Sequence, residues 1–88
     1  MPTYTSVPEL EKSLIREKLL NKAMSDLTEK GVPARRFPTG VTGTFSGEPF
    51  CVYAKFIHYK NDFIAVLATR YKGVETDVDL PSKALGCA

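Results

Sequence analysis

The 88 residues carry 12 lysines and arginines against 10 acids and a single histidine, with 43% apolar and 25% charged side chains. Such a chain suffices for one compact domain with a modest core and leaves little room for two. Its composition excludes a disordered polyelectrolyte, and no apolar run approaches the roughly 20 residues of a bilayer-spanning helix. The net charge of +2 says little about partners, but it is unevenly spread. From Arg35 to Lys72, the cations Arg35, Arg36, Lys55, Lys60, Arg70 and Lys72 face only Glu48 and Asp62. That distribution suits a polyanionic ligand and equally suits ordinary solvated strands and loops.

The opening MPTYTSVPELEK has neither a basic leader nor an apolar signal core, so a cytoplasmic location is expected. Residues 7 to 30 read as a helix. Ser6 and Glu9 match a capping box, and Pro8 is tolerated inside the first turn. Leu10, Leu14, Ile15, Leu19, Leu20, Ala23, Met24 and Leu27 follow at helical spacing, and Gly31 then Pro33 supply the stop. Glu11, Lys18, Lys22, Ser25 and Glu29 share one narrow polar face, while apolar residues occupy much of the rest. A helix of this length spans roughly 36 Å, longer than so small a domain covers. Part of it is therefore expected to pack on another subunit or to kink.

Residues 31 to 40, GVPARRFPTG, read as a connector, after which the period changes to that of strands. VTGTF precedes a turn at SGEP; FCVYAKFIHY follows, then a turn at Lys60 to Asp62, then FIAVLATRY. Lys72 and Gly73 make a two-residue turn into VETDVDL, which alternates apolar with acidic side chains. Pro81 ends that strand, and ALGCA is long enough for one short terminal strand. In the two middle strands Phe50, Val52, Ala54 and Phe56 oppose Cys51, Tyr53, Ile57 and Tyr59, just as Phe63, Ala65 and Leu67 oppose Ile64, Val66 and Ala68. Apolar residues on both faces predict sandwiched strands, met by a strongly bent sheet closing into a small barrel. The expected fold is α+β, mainly β, in one domain over residues 1–88.

The sequence offers no catalytic constellation. It has one histidine, no carboxylate pair beside it, no phosphate-cradling glycine loop and no metal-ligand spacing, so neither enzymatic activity nor a cofactor is expected. Cys51 and Cys87 lack a disulfide framework and read as free thiols. A Cys51 and His58 dyad fails because seven residues along one strand place them on opposite faces.

A helix followed by five short antiparallel strands, with a tight turn before the fifth, resembles the Sm, LSm and Hfq small barrels. VTGTFSG, residues 41 to 47, looks like that family's first strand and glycine turn. HYKNDFIAVL sits at its loop between second and third strands, and LPSKAL where its last hairpin carries a basic residue. Ala54 and Tyr59 depart from the family pattern, which has a glycine and an aspartate there. The resemblance implies a closed homo-oligomeric ring, joined through the strands VETDVDL and ALGCA, that binds single-stranded RNA or DNA. It assigns stacking on bases to Tyr59 or Phe63, base reading to Asn61, the family's acidic loop position to Asp62, and phosphate contacts to Lys60 and Lys83. Independently, the Arg35 and Arg36 pair beside Phe37 is placed to clamp a nucleic-acid backbone.

Plainer readings stand beside these. Asn61 and Asp62 are favourable turn residues, Tyr59 and Phe63 form a cross-strand aromatic pair, His58 is a packed core or interface residue, and the two arginines belong to a solvated connector. The competing function is a small protein-binding or inhibitory module, of a kind common in viral genomes. Its contact surfaces would be the long helix and the VETDVDL edge.

Overall fold

The computed structural model describes residues 6–86, with side chains from Leu10 onward. The capping-box side chains of Ser6 and Glu9, and the thiol of Cys87, lie outside the described residues. The chain forms α1 (Ser6–Glu29), β1 (Ala34–Phe37), β2 (Gly40–Phe45), β3 (Glu48–Tyr59), β4 (Asp62–Tyr71), β5 (Val74–Asp77) and α2 (Pro81–Leu85). All five strands lie in a single antiparallel meander, in the order β1-β2-β3-β4-β5.

The α1 helix ends where its sequence dictates. Gly31 adopts φ +75°, its N–H bonds the carbonyl of Thr28 at 3.1 Å, and the Val32 N–H bonds that of Leu27 at 2.9 Å. This is the paired C-terminal arrangement that a glycine in the left-handed region permits, sealed by packing of Val32 and Leu27 in the core. Tight turns link the strands. Ser46 and Gly47, like Lys72 and Gly73, both have positive φ, the backbone twist that suits two-residue hairpins.

The strand register divides the sheet into two faces. Val41, Phe50, Val52 and Leu67 point toward α1 and pack with its Leu20, Ala23 and Leu27. The opposite face carries Arg35, Phe37, Cys51, Tyr53, Lys55, Ile57, Tyr59, Ile64, Val66 and Arg70. Among the described residues no helix covers that face, so the sandwich expected from the two-sided strands is half built. Ile57 and Ile64, cross-strand partners, stay 41% and 48% exposed.

The sheet does not close into a barrel. β1 and β5 are its two edges, and the C-terminal chain goes to the helix instead of to β1. The strand expected over VETDVDL stops at Asp77, and Ala84 and Leu85 of the expected terminal strand belong to α2, which Gly86 ends at φ +86°. Pro81 favours this outcome, since its fixed φ suits a first helical turn. The reverse correction applies to residues 31 to 40, where ARRF forms β1 and pairs with Gly40–Gly43.

β3 and β4 outrun their neighbours. β2 pairs only with Glu48–Val52 of β3, and β5 only with Ala68–Tyr71 of β4. Beyond these points the hairpin continues as a two-stranded ribbon, and the first half of α1 runs along one face of it. Lys12 stands 5.8 Å from the Phe56 ring and 5.4 Å from that of Phe63, and Arg16 stands 5.4 Å from Phe56. The molecule is correspondingly elongated, 49 × 24 × 19 Å.

Candidate functional site

The ribbon tip is a turn built by its own residues. Tyr59 pairs with Asp62, leaving Lys60 and Asn61 at the bend, and Lys60 takes φ +57°. The Asp62 carboxylate, at the start of β4, accepts the backbone N–H of the next residue, Phe63, at 2.8 Å.

The tip separates its two aromatic residues. Tyr59 lies on the open face, 56% exposed, with the Lys60 ammonium 5.4 Å from its ring. Phe63 lies on the α1 face, opposite His58 and edge-on to Phe56 at 5.6 Å. Tyr59 and Phe63 are therefore not a cross-strand pair, and of the two only Tyr59 is presented on the open face. Asn61, Asp62, His58 and Phe63 line a shallow cleft that Glu11 and Lys12 close from the helix.

The two arginines of ARRF also part, because successive strand residues point to opposite faces. Arg35 is on the open face with its guanidinium 5.7 Å from the Phe37 ring. Arg36 turns toward α1, where it pairs with Glu17 at 2.9 Å and donates to the Phe37 carbonyl. Lys83 is separated from all of these. It pairs with Asp79 at 3.0 Å on α2, next to Ser82, which is bonded to Asp26. Asp26 is 14 residues along α1 from Lys12, roughly 21 Å of helix.

Across β3, β4 and β5 the open face holds a cluster that sequence reading did not single out. The Tyr53 hydroxyl donates to Glu75, and the Lys55 ammonium donates to Glu75 at 2.9 Å and to Asp77 at 3.2 Å. Arg70 lies 3.9 Å from Glu75. Hydrogen bonding from Tyr53 and Lys55 lowers the Glu75 pKa, while the bond to Glu75 raises that of Tyr53. Bonds to Glu75 and Asp77 raise that of Lys55. The bonds of Tyr53 and Lys55 to Glu75 and Asp77 join strands 20 or more residues apart in sequence, so no local motif announces them. The alternation of ARRF was the one available signal for Phe37, obscured by flanking prolines that suggested a connector.

Cys51 carries a free thiol on the open face and His58 faces α1, so the two remain apart. Among the described residues no group of His, Cys, Asp and Glu is placed to hold a metal ion, and no helix is long and apolar enough to cross a membrane. No protein-family model, curated protein or solved structure matches the chain.

Proposed function

We propose that this chain is a non-catalytic binder of single-stranded nucleic acid, and that the strand lies across the open face of the sheet. The observation that carries this reading is the pair of exposed rings on that face, Phe37 and Tyr59, 41% and 56% exposed, each with a cation beside it. Neither Arg35 nor Lys60 is in an ion pair among the described residues. Rings at Phe37 and Tyr59 offer stacking platforms for unpaired bases, and Arg35 and Lys60 meet the adjoining phosphates. Asn61 at the tip offers an amide to a base edge. Lys55 and Arg70 are occupied by Glu75 and Asp77, so they contribute less. This reading keeps Tyr59, Lys60, Asn61 and Arg35, adds Phe37, and releases Phe63, Arg36 and Lys83 from direct contact.

Fluorescence anisotropy with labelled single-stranded RNA and DNA at increasing salt tests it. Affinity falls as salt rises, and Arg35→Ala with Lys60→Ala flattens that dependence because fewer counterions are released. A protein that ignores both oligonucleotides at low salt overturns the reading. A protein-binding or inhibitory module is the second reading, favoured by the exposed Ile57 and Ile64 pair in the middle of the same face.

A further inference from the structure

We infer that one unpaired base of the bound strand enters a slot on the open face between Phe37 and Tyr53, with Gly40 as its floor and Thr42 at its edge. The slot rests on the nucleic-acid reading above and names the part of the ligand that this face selects, a single flat ring free of any duplex.

Strand register makes the slot. Phe37 of β1 pairs with Gly40 of β2, and continuing the register of Val41 with Val52 by one step sets Gly40 beside Tyr53 of β3. A Cβ on Gly40 would lie 3.9 Å from that of Tyr53, which fixes the two as neighbours. All three positions belong to the open face, because Arg36, Val41 and Val52 of the adjoining row point toward α1. The row across the sheet therefore reads aromatic, glycine, aromatic.

Spacing decides what such a row can hold. Side chains on adjacent strands rise from backbones about 4.8 Å apart and pack directly on each other, leaving no room for a guest. Phe37 and Tyr53 are two strand spacings apart, roughly 10 Å, and the residue between them has no side chain. A base stacked at about 3.4 Å from a ring on either side needs roughly 7 Å. One base fits and two do not.

The gap is open in the structure. Among the described residues the rings of Phe37 and Tyr53 are not in contact with each other. The Tyr53 hydroxyl donates to Glu75 on β5, which draws that side chain toward the far edge of the sheet and away from Phe37. Between the two lies a shallow cavity of about 210 Å³, lined by Phe37, Thr39, Gly40, Thr42, Cys51 and Tyr53. That is below the roughly 300 Å³ at which sites for drug-sized molecules begin, and in keeping with one flat ring.

The rim carries the polar groups a nucleotide needs. Thr42, exposed and paired with Arg35, offers a hydroxyl that donates or accepts at a base edge. The Arg35 guanidinium, beside the Phe37 ring, is in no ion pair among the described residues and faces the phosphate. Glu75 and Asp77 stand on the other side of Tyr53, so among the described residues no carboxylate lines the slot to repel the strand.

Two experiments on the full chain test the slot. Single strands carrying one 5-iodouridine are irradiated on the protein and the adducts mapped by mass spectrometry, with cross-links expected at Phe37 or Tyr53 as well as at the Tyr59 tip. Fluorescence anisotropy then compares variants, each verified as folded by circular dichroism. Tyr53→Ala is expected to weaken binding by roughly 10-fold or more, as lost base stacking does, and Tyr53→Phe to leave it within about twofold. On a strand made of abasic sites Tyr53→Ala should change nothing. Cross-links confined to the tip, a folded Tyr53→Ala variant of wild-type affinity, or an equal loss on the abasic strand overturns the slot while the ligand face stands. A chain that binds no single strand at low salt overturns both. Cross-linking needs no variant, so it decides the matter even where Tyr53→Ala does not fold.

Discussion

Asp26 and Ser82 are 56 positions apart in sequence and meet in the interior, where one carboxylate oxygen accepts the Ser82 N–H at 2.9 Å and the other its hydroxyl at 3.0 Å. Both residues are buried. The pair fastens α2 to α1, giving a first-turn N–H of α2 the acceptor that its Leu80 cap does not supply. With α2 held on α1, β1 and β5 remain the two edges of the sheet.

Asp26→Ala should therefore cost on the order of 1–3 kcal/mol, the penalty for orphaning buried donors. Urea unfolding followed by circular dichroism measures it. An unchanged midpoint would show that α2 holds without this bond.

Thr69 is fully buried on the α1 side of β4, and its hydroxyl has no hydrogen-bond partner among the described residues. Replacing a buried, unsatisfied hydroxyl with a methyl of similar shape removes a desolvation cost. Thr69→Val is expected to raise stability by about 1 kcal/mol, read as a higher unfolding midpoint, whereas a loss would reveal a partner for the hydroxyl.

Gly43 and Gly40 are required by close backbone approach. A Cβ on Gly43 would lie 2.2 Å from the Pro33 carbonyl oxygen, and one on Gly40 would lie 2.6 Å from that of Val52. Gly43→Ala should destabilise by roughly 1–3 kcal/mol, as overpacking does, while Gly47→Ala meets no atom and suffers only from its positive φ. Thermal melts of the two variants compare these causes.

The cluster around Glu75 sets a pH window. Glu75 is held below its ordinary pKa, so its contribution is present above the unfolded carboxylate value and is lost as pH falls through the lower folded value. Lys55 is raised, so its contribution is present below the unfolded ammonium value and is lost as pH rises through the higher folded one. Tyr53 is raised as well and should titrate above the ordinary phenol range. Near-ultraviolet titration of the wild type against Tyr53→Phe isolates that phenol; a normal value would mean that the bond to Glu75 is not held in solution.

On the proposed ligand face, Phe37→Ala and Tyr59→Ala should each cost on the order of 1–3 kcal/mol of oligonucleotide affinity with folding intact, as lost base stacking does. Phe63→Ala, whose ring packs on Phe56 under Lys12, should instead lower stability. Anisotropy and melting curves on the same samples separate the two effects, and a Phe63→Ala that loses only affinity would reverse the assignment of faces.

The local elements were legible because their causes are local. The apolar spacing from Leu10 to Leu27 with Gly31 beyond it yields α1, and the positive-φ pairs Ser46-Gly47 and Lys72-Gly73 yield hairpin turns. Alternation along β3 and β4 shows two apolar faces without saying what covers each. Tertiary structure decided that α1 covers one face and leaves Ile57 and Ile64 bare on the other. It also decided that ARRF is an edge strand and that the C-terminal residues form a helical turn. The physical reason is that these outcomes rest on long-range partners. Arg36 finds Glu17, Gly43 admits the chain beside Pro33, and Ser82 finds Asp26, and no spacing within a short stretch of sequence encodes any of those meetings.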